Sequence, residues 1–381
     1  HSRAKAANLQ LKSSQLNIEA ASTLKKAAFE LPETSVHFQY GQFNTVAMDN
    51  SINISQGIPF PTVMSSKKKW YEAIHEESKL LNLLSTKEVL FQVSALFYEI
   101  QFLNNKGLLL EENQLLFEKF VQAANLRFQS GETNILEKTS AGAKLGQVNL
   151  EINDNERAVS AAYLYLKNLL NIKDDFSIPI EDRYEPIPSF FGVANSIKLN
   201  HPKLALNQQQ LTLKEREQKM ERALLMPDFS IGYFNQSIQG FQNVSGTEVY
   251  YSRSKRFQGF NVGLTLPITA FSNGAKIKAM GFEKEALALD AENEALSLQA
   301  QLDELLLMQE QLKQEYKYYT SIALINANII TEVANTSLKS GAIHFLEYLQ
   351  AIQQSSEIQM GYLETINNIN QNSIQINYLT K

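Results

Sequence analysis

From residue 35 to 40 apolar and polar side chains alternate without exception, with Val36, Phe38 and Tyr40 on one face and Ser35, His37 and Gln39 on the other. A period of two is that of a β-strand with one apolar face. After a polar stretch at 44–50 the pattern resumes, Ile52, Ile54 and Ile58 opposing Asn53, Ser55 and Gly57. Two further runs lie downstream. Phe229, Ile231 and Tyr233 oppose Ser230 and Gly232; then Phe260, Val262, Leu264 and Leu266 oppose Gly259, Asn261, Gly263 and Thr265. A polar loop at 240–256 joins these two runs, so the reading is two β-hairpins with four strands in all.

Elsewhere the period is helical. No proline interrupts 65–127 or 275–338, and at 1.5 Å per residue each tract allows about 90 Å of helix. Ala291, Leu298, Leu305, Leu312 and Tyr319 recur every seven residues, with Ala295, Leu302 and Tyr316 between them and Gln309 breaking that second stripe. Heptad spacing packs helices side by side as coiled coils rather than around a globular core.

The prolines divide the chain: Pro32, Pro59 and Pro61, then none until Pro179, and none after Pro267. Self-comparison divides it in the same place. Phe128-Gln129-Ser130-Gly131 through Leu136-Glu137 matches Leu338-Lys339-Ser340-Gly341 through Leu346-Glu347 at a fixed shift of 210, which Ala124-Asn125 and Ala334-Asn335 also obey. Gly57-Ile58-Pro59-Phe60 answers Thr265-Leu266-Pro267-Ile268, and Leu31-Pro32-Glu33 answers Met226-Pro227-Asp228, at smaller shifts that place a longer loop in the second hairpin. One unit is therefore written twice, at 1–190 and 191–381. Each copy runs helix, two strands, long helix, tight break, second helix, and the proline-bearing stretch 178–189 is the crossover.

Composition narrows the function. Nine prolines and sixteen glycines in 381 residues suit long helices. A formal charge of −5 leaves no cationic footprint for phosphates, so nucleic acid is not an expected partner. The absence of cysteine removes disulfides, thiolate catalysis, Cys-ligated zinc and iron–sulfur clusters. No run of eighteen apolar residues occurs, so no transmembrane helix is expected, but a β-barrel span escapes that test. The sequence has no H-E-x-x-H, no G-x-S-x-G, no P-loop and no G-x-G-x-x-G after a strand. Glu111 and Glu112 are adjacent and point in different directions. Neither catalysis nor a cofactor is expected. The chain opens at His1 already inside a helix-like pattern and reads as a mature or trimmed piece.

Four strands with one apolar face cannot close a barrel, and two isolated hairpins leave edges open. If the apolar face meets lipid, every backbone hydrogen bond must close and the polar face must line a lumen. A symmetric oligomer that pools its strands does this most simply. The alternative is a small soluble sheet capping a helical bundle, which alternation alone does not distinguish.

The duplicated plan, the hairpins after Leu31-Pro32 and Met226-Pro227, and the paired turns Ser130-Gly131-Glu132-Thr133-Asn134-Ile135-Leu136-Glu137 and Ser340-Gly341-Ala342-Ile343-His344-Phe345-Leu346-Glu347 resemble the outer-membrane efflux proteins of the TolC family. The resemblance covers essentially the whole chain. It implies a mainly α fold with β-hairpins: internally duplicated coiled-coil helices forming an α-barrel across the periplasm, and four strands per protomer in a trimeric, twelve-stranded outer-membrane β-barrel. It also implies a homotrimer, a periplasmic adaptor (membrane fusion protein), an inner-membrane resistance–nodulation–division pump and surrounding outer-membrane lipid. Residues 49–57, with Phe60-Pro61-Thr62-Val63 after them, look most like members paired with heavy-metal pumps. No cysteine is available for the lipid anchor that some members carry, so the expectation is that it was removed with a leader or never existed. A type I secretion duct shares the architecture, and a soluble coiled-coil scaffold or adaptor is the rival outside the class.

The resemblance assigns Ser130, Gly131, Glu132 and Thr133, with Ser340, Gly341, Ala342 and Ile343, to periplasmic tips that mesh with the adaptor. A plain helix C-cap explains the two glycines equally well. Glu347 matches the acidic ring at the periplasmic aperture, where three carboxylates near a symmetry axis repel one another and attract cations. Gln350 stands where some relatives carry a second acid, and Glu137 is the equivalent in the first copy, off the axis. The ordinary alternative for Glu347 is a solvated helical side chain. Lys67, Lys68, Lys69 and Trp70 read as a membrane-interface anchor or as an exposed helix start. His37 reads as lumen-facing. His75, His201 and His344 lie apart, and His75 with Glu72 and Glu76 is the nearest approach to a metal site; no tight metal site is expected.

Overall fold

The computed structural model describes residues 1–180, 184–191, 198–267 and 270–381. Residues 181–183 of the crossover and Ile268, the expected partner of Phe60, lie outside the described residues. In chain order the elements are α1 (Ser2–Ala7), α2 (Leu9–Leu24), β1 (Ser35–Gly41), β2 (Asp49–Ile58), α3 (Pro61–Gln129), α4 (Ile135–Leu170), α5 (Pro202–Ala223), β3 (Asp228–Ser237), β4 (Gly240–Val244), β5 (Thr247–Tyr251), β6 (Arg256–Thr265), α6 (Ala270–Tyr318), α7 (Leu324–Ser340) and α8 (Phe345–Thr380).

The chain divides into two compact units, residues 1–13, 83–202 and 294–381 in one and 14–82 and 203–293 in the other, so each unit draws on both halves of the sequence. The second unit holds an antiparallel sheet in the order β1-β2-β3-β6. Its register follows the alternation. Val36, Ile54, Tyr233 and Phe260 form one cross-strand row, and Ile58, Phe229 and Leu264 another. This apolar face is open, with Phe260 80 % and Val262 79 % exposed. At the end of the strands remote from the helices it gives way to Asn50, Asn235 and Arg256, whose guanidinium donates to the Asn50 and Asn235 side chains. The apolar surface is therefore a bounded band. On the other face Ser35, Ser55, Gly232 and Asn261 form one row, and His37, Asn53, Phe234 and Gly259 the next. Phe234 breaks the expected polarity there because its ring lies over Gly259, where a Cβ would meet it at 2.8 Å. β1 and β6 pair with no further strand among the described residues, so the sheet has two open edges.

Two expectations need correction. The loop at 240–256 is itself partly a hairpin, β4 pairing with β5 through Ser245 and Gly246, both at positive φ. That is the two-residue turn the right-handed strand twist favours. The second long helix is broken between α6 and α7 by a π turn, Tyr319–Ala323. The shift between copies grows by two residues, from 208 at Gly57 to 210 at Gly131, and a π turn takes up one added residue without ending a helix. In addition, one eighteen-residue stretch of α3 is apolar enough, by length and composition, to cross a membrane, although α3 has 69 residues and a span needs about 20.

In the first unit Val89, Ile100, Phe102, Leu166 and Ile366 form a core with Ala4, Leu11 and Tyr184. The irregular crossover packs Ile178 and Tyr184 against it, and peptide groups that this covers need partners. Side chains at core positions supply them: Gln101 donates to the Pro179 carbonyl at 2.8 Å, Gln309 to that of Phe190 at 3.1 Å, and Asn370 accepts from the Ile187 amide at 2.8 Å. The break that Gln309 makes in the leucine stripe has this cause.

Candidate functional site

The strongest local signal, the repeated Ser-Gly turn, folds as two copies of one geometry. In the first, the Gly131 amide donates to the Phe128 carbonyl at 3.2 Å and that of Glu132 to Arg127 at 2.9 Å; in the second, Gly341 donates to Leu338 at 3.2 Å and Ala342 to Ser337 at 2.9 Å. These are Schellman closures. They require the left-handed backbone that Gly131 and Gly341 adopt at φ 79° and 74°. Beneath the turns an aromatic cluster joins α3 to α8: the Phe120 ring lies 5.8 Å from Phe117, 5.6 Å from Phe345 and 4.9 Å from Tyr348, all edge to face. Ala124 and Ala334, the matched alanines, are both buried beside it. Burial pushes the Tyr348 phenol up from its ordinary pKa, and its hydroxyl donates to Asn335 at 2.5 Å.

The two turns lie together. Arg127, Gly131, Glu132, Thr133 and Glu137 from the first and His344 and Glu347 from the second line a shared cleft of about 700 Å³. Ser130, Ser340 and Ala342 are exposed beside it and Ile343 is half-buried. The cleft is built from one guanidinium and three carboxylates, on helix ends positioned by the closures above.

The matched acids differ. Both sit three residues into a new helix, where a carboxylate closes a capping box. Glu137 is buried and pairs with Arg127 at 2.9 Å; it also accepts from the Thr133 hydroxyl, and its own amide donates to Asn134 Oδ1. Glu347 is exposed and accepts the His344 amide at 2.8 Å, and it meets no cation among the described residues. Ser337 stands where Arg127 would be repeated. Gln350 is exposed one turn further along. Arg127 was not singled out in the sequence, although its replacement by Ser337 in an otherwise matched turn marks it.

The basic run after the first hairpin splits. Lys67 lies 3.4 Å from Glu30 and Lys68 3.9 Å from Glu72, Lys69 is exposed, and Trp70 is half-buried against Tyr71 with rings 5.0 Å apart. His37 is exposed on the polar face of the sheet and His75 is buried in α3. Among the described residues no three His, Asp or Glu side chains are grouped to hold a metal.

No family model and no curated protein matches the chain. Solved structures do. A membrane protein from Pseudomonas aeruginosa superposes with a TM-score of 0.80 at 16 % identity, over 99 % of this chain and 88 % of its own. The Campylobacter jejuni CmeC outer membrane channel gives 0.78 at 15 %, over 99 % and 84 %. The open-state MtrE outer membrane channel of Neisseria gonorrhoeae gives 0.75 at 15 %, over 99 % and 87 %. The fold is that of the TolC-type channels, long helices with strands, as the sequence resemblance implied.

Proposed function

We propose that the chain is the exit duct of a tripartite efflux system: a passive, homotrimeric channel seated in the outer membrane and reaching into the periplasm. One observation carries this reading, the sheet with an exposed apolar band and two open edges. Such a sheet is stable only when its face is covered and its edges are paired. Strands β2, β3 and β6 have 10 residues each, within the roughly 9–11 that cross a bilayer at a tilt. Pooling the edges of three copies makes twelve strands and meets both needs.

In this reading the Gly131 and Gly341 turns, with Ser130, Glu132, Thr133, Ser340, Ala342 and Ile343, dock the hairpin of a periplasmic adaptor. Glu347 faces the aperture, and an inner-membrane pump of the resistance–nodulation–division type supplies the energy. Opening is a small slide of the helix pairs. Heavy-metal cations as cargo rest on the likeness of residues 49–57 and 60–63 alone. A chain that leaves membranes without detergent as a single species would be a coiled-coil scaffold instead, and a polypeptide-exporting partner would make it a type I secretion duct.

The test is Gly341→Val. A β-branched residue at φ 74° costs about 1–3 kcal/mol locally and reshapes the docking turn. Efflux-dependent resistance is expected to disappear while the oligomer survives on native gels. Loss of the oligomer, or intact resistance, would return the turn to a helix cap.

A further inference from the structure

The polar face of the sheet is built from unequal pairs. Along three successive steps of the β3–β6 ladder Ser230 opposes Gly263, Gly232 opposes Asn261 and Phe234 opposes Gly259, one side chain against one glycine each time. In each pair the side chain fills the space a Cβ on the glycine would need: the Ser230 hydroxyl at Gly263, the Asn261 amide at Gly232, and the tip of the Phe234 ring at Gly259, within 2.8 Å. Strand side chains ordinarily stand roughly perpendicular to their sheet. These three lie across the neighbouring strand instead. Exposure agrees: Phe234 is half-buried although its row also carries the exposed His37, whereas Phe260, on the opposite face of the same two strands, is 80 % exposed.

The row through Phe234 reads His37, Asn53, Phe234, Gly259, and the next row toward the helices reads Ser35, Ser55, Gly232, Asn261. Ser35 and Ser55 are tied hydroxyl to hydroxyl at 2.8 Å, and Asn53 keeps its Oδ1 covered without a hydrogen-bond partner. Counted along the strands from the helix end, Phe234 is the first large apolar side chain on this face. In the duct reading this face lines the lumen. About eight strands enclose an interior that side chains fill, and about 16–18 leave an aqueous channel. At twelve strands the clearance therefore depends on how far the inward side chains rise.

We infer that Gly259 sets the width of the duct within the strands by keeping Phe234 flat, so that the ring turns its face rather than its length to the lumen. A side chain at Gly259 would displace the ring, and Asn53 stands on its other side, so the displaced ring rises from the sheet. In a threefold ring this happens three times at one level. Gly232 and Gly263 do the same for the smaller Asn261 and Ser230. The inference rests on the membrane-duct reading and adds to it the residues that fix the size limit of the cargo.

The test measures polymer exclusion by the full chain in planar bilayers, with polyethylene glycols of graded mass added on the side of the strands. Gly259→Val should lower the mass of the largest polymer that enters by about twofold or more, because it raises three rings in a lumen whose clearance the side chains decide. Adding Phe234→Ala to it should restore the limit. Phe234→Ala alone removes a ring that does not obstruct and should leave the limit unchanged; it introduces no crowding, so it reads the proposal even where Gly259→Val fails to assemble. An unchanged limit in Gly259→Val, a loss that Phe234→Ala does not restore, or a limit raised by Phe234→Ala alone overturns the assignment. Failure of the underlying reading looks different, because the unmodified protein would then form no channel for polymers to enter.

Discussion

Glu137 and Glu347 occupy matched positions in the two copies, and their surroundings divide the work between them. The first is buried and paired with Arg127; the second is exposed, holds only a backbone amide and meets no cation among the described residues. In the duct reading only Glu347 keeps net charge to offer a passing ion. Glu347→Gln should weaken divalent-cation block of single-channel current in planar bilayers, whereas Glu137→Gln should leave block unchanged and lower thermal stability, because it strands Arg127 beside a neutral partner. Equal effects on block would remove the distinction. Both acids were visible in the sequence as the acidic position of a repeated turn. Their difference was not, because it depends on an arginine ten residues earlier that only the folded turn brings to Glu137.

At the scale of elements, the period of each segment was legible and its interruptions were not. The strands lie where alternation puts them because a shift of one residue would turn the apolar band onto the polar face. The heptad stripe likewise gave the long helices. The π turn before α7 left no mark in that period, only a change in the shift between the copies. It places the Tyr319 hydroxyl over Gly361 of α8, where a Cβ would collide with it. Glycine there costs helix propensity, and the close fit explains why it is tolerated. Gly361→Ala should lower the melting midpoint by forcing the ring aside, an overpacking cost of about 1–3 kcal/mol. Adding Tyr319→Leu should recover most of that loss. Additive effects in the double variant, followed by circular dichroism, would show that the two residues are not coupled. The buried amides Gln101, Gln309 and Asn370 teach the same lesson. Gln309 reads as a defect in an apolar stripe until the backbone it satisfies is in view, and the other two carry no mark in the sequence.

At the scale of the whole molecule, the chain carries a sheet that it cannot finish. An exposed apolar band with two open edges is incomplete in one copy, and in the duct reading the number of copies is set by how many strands close the ring. The duplication, the hairpins and the paired turns made the fold class legible from sequence. What would complete the sheet was not, because no residue of a single chain records a symmetry. The most direct measurement is therefore the mass and rotational symmetry of the protein extracted from membranes in mild detergent, by light scattering and averaged particle images. A threefold particle with a tube and a membrane collar is the predicted result. A monomer or dimer that stays soluble without detergent would contradict the account and leave the four amphipathic strands as a soluble cap on a coiled coil.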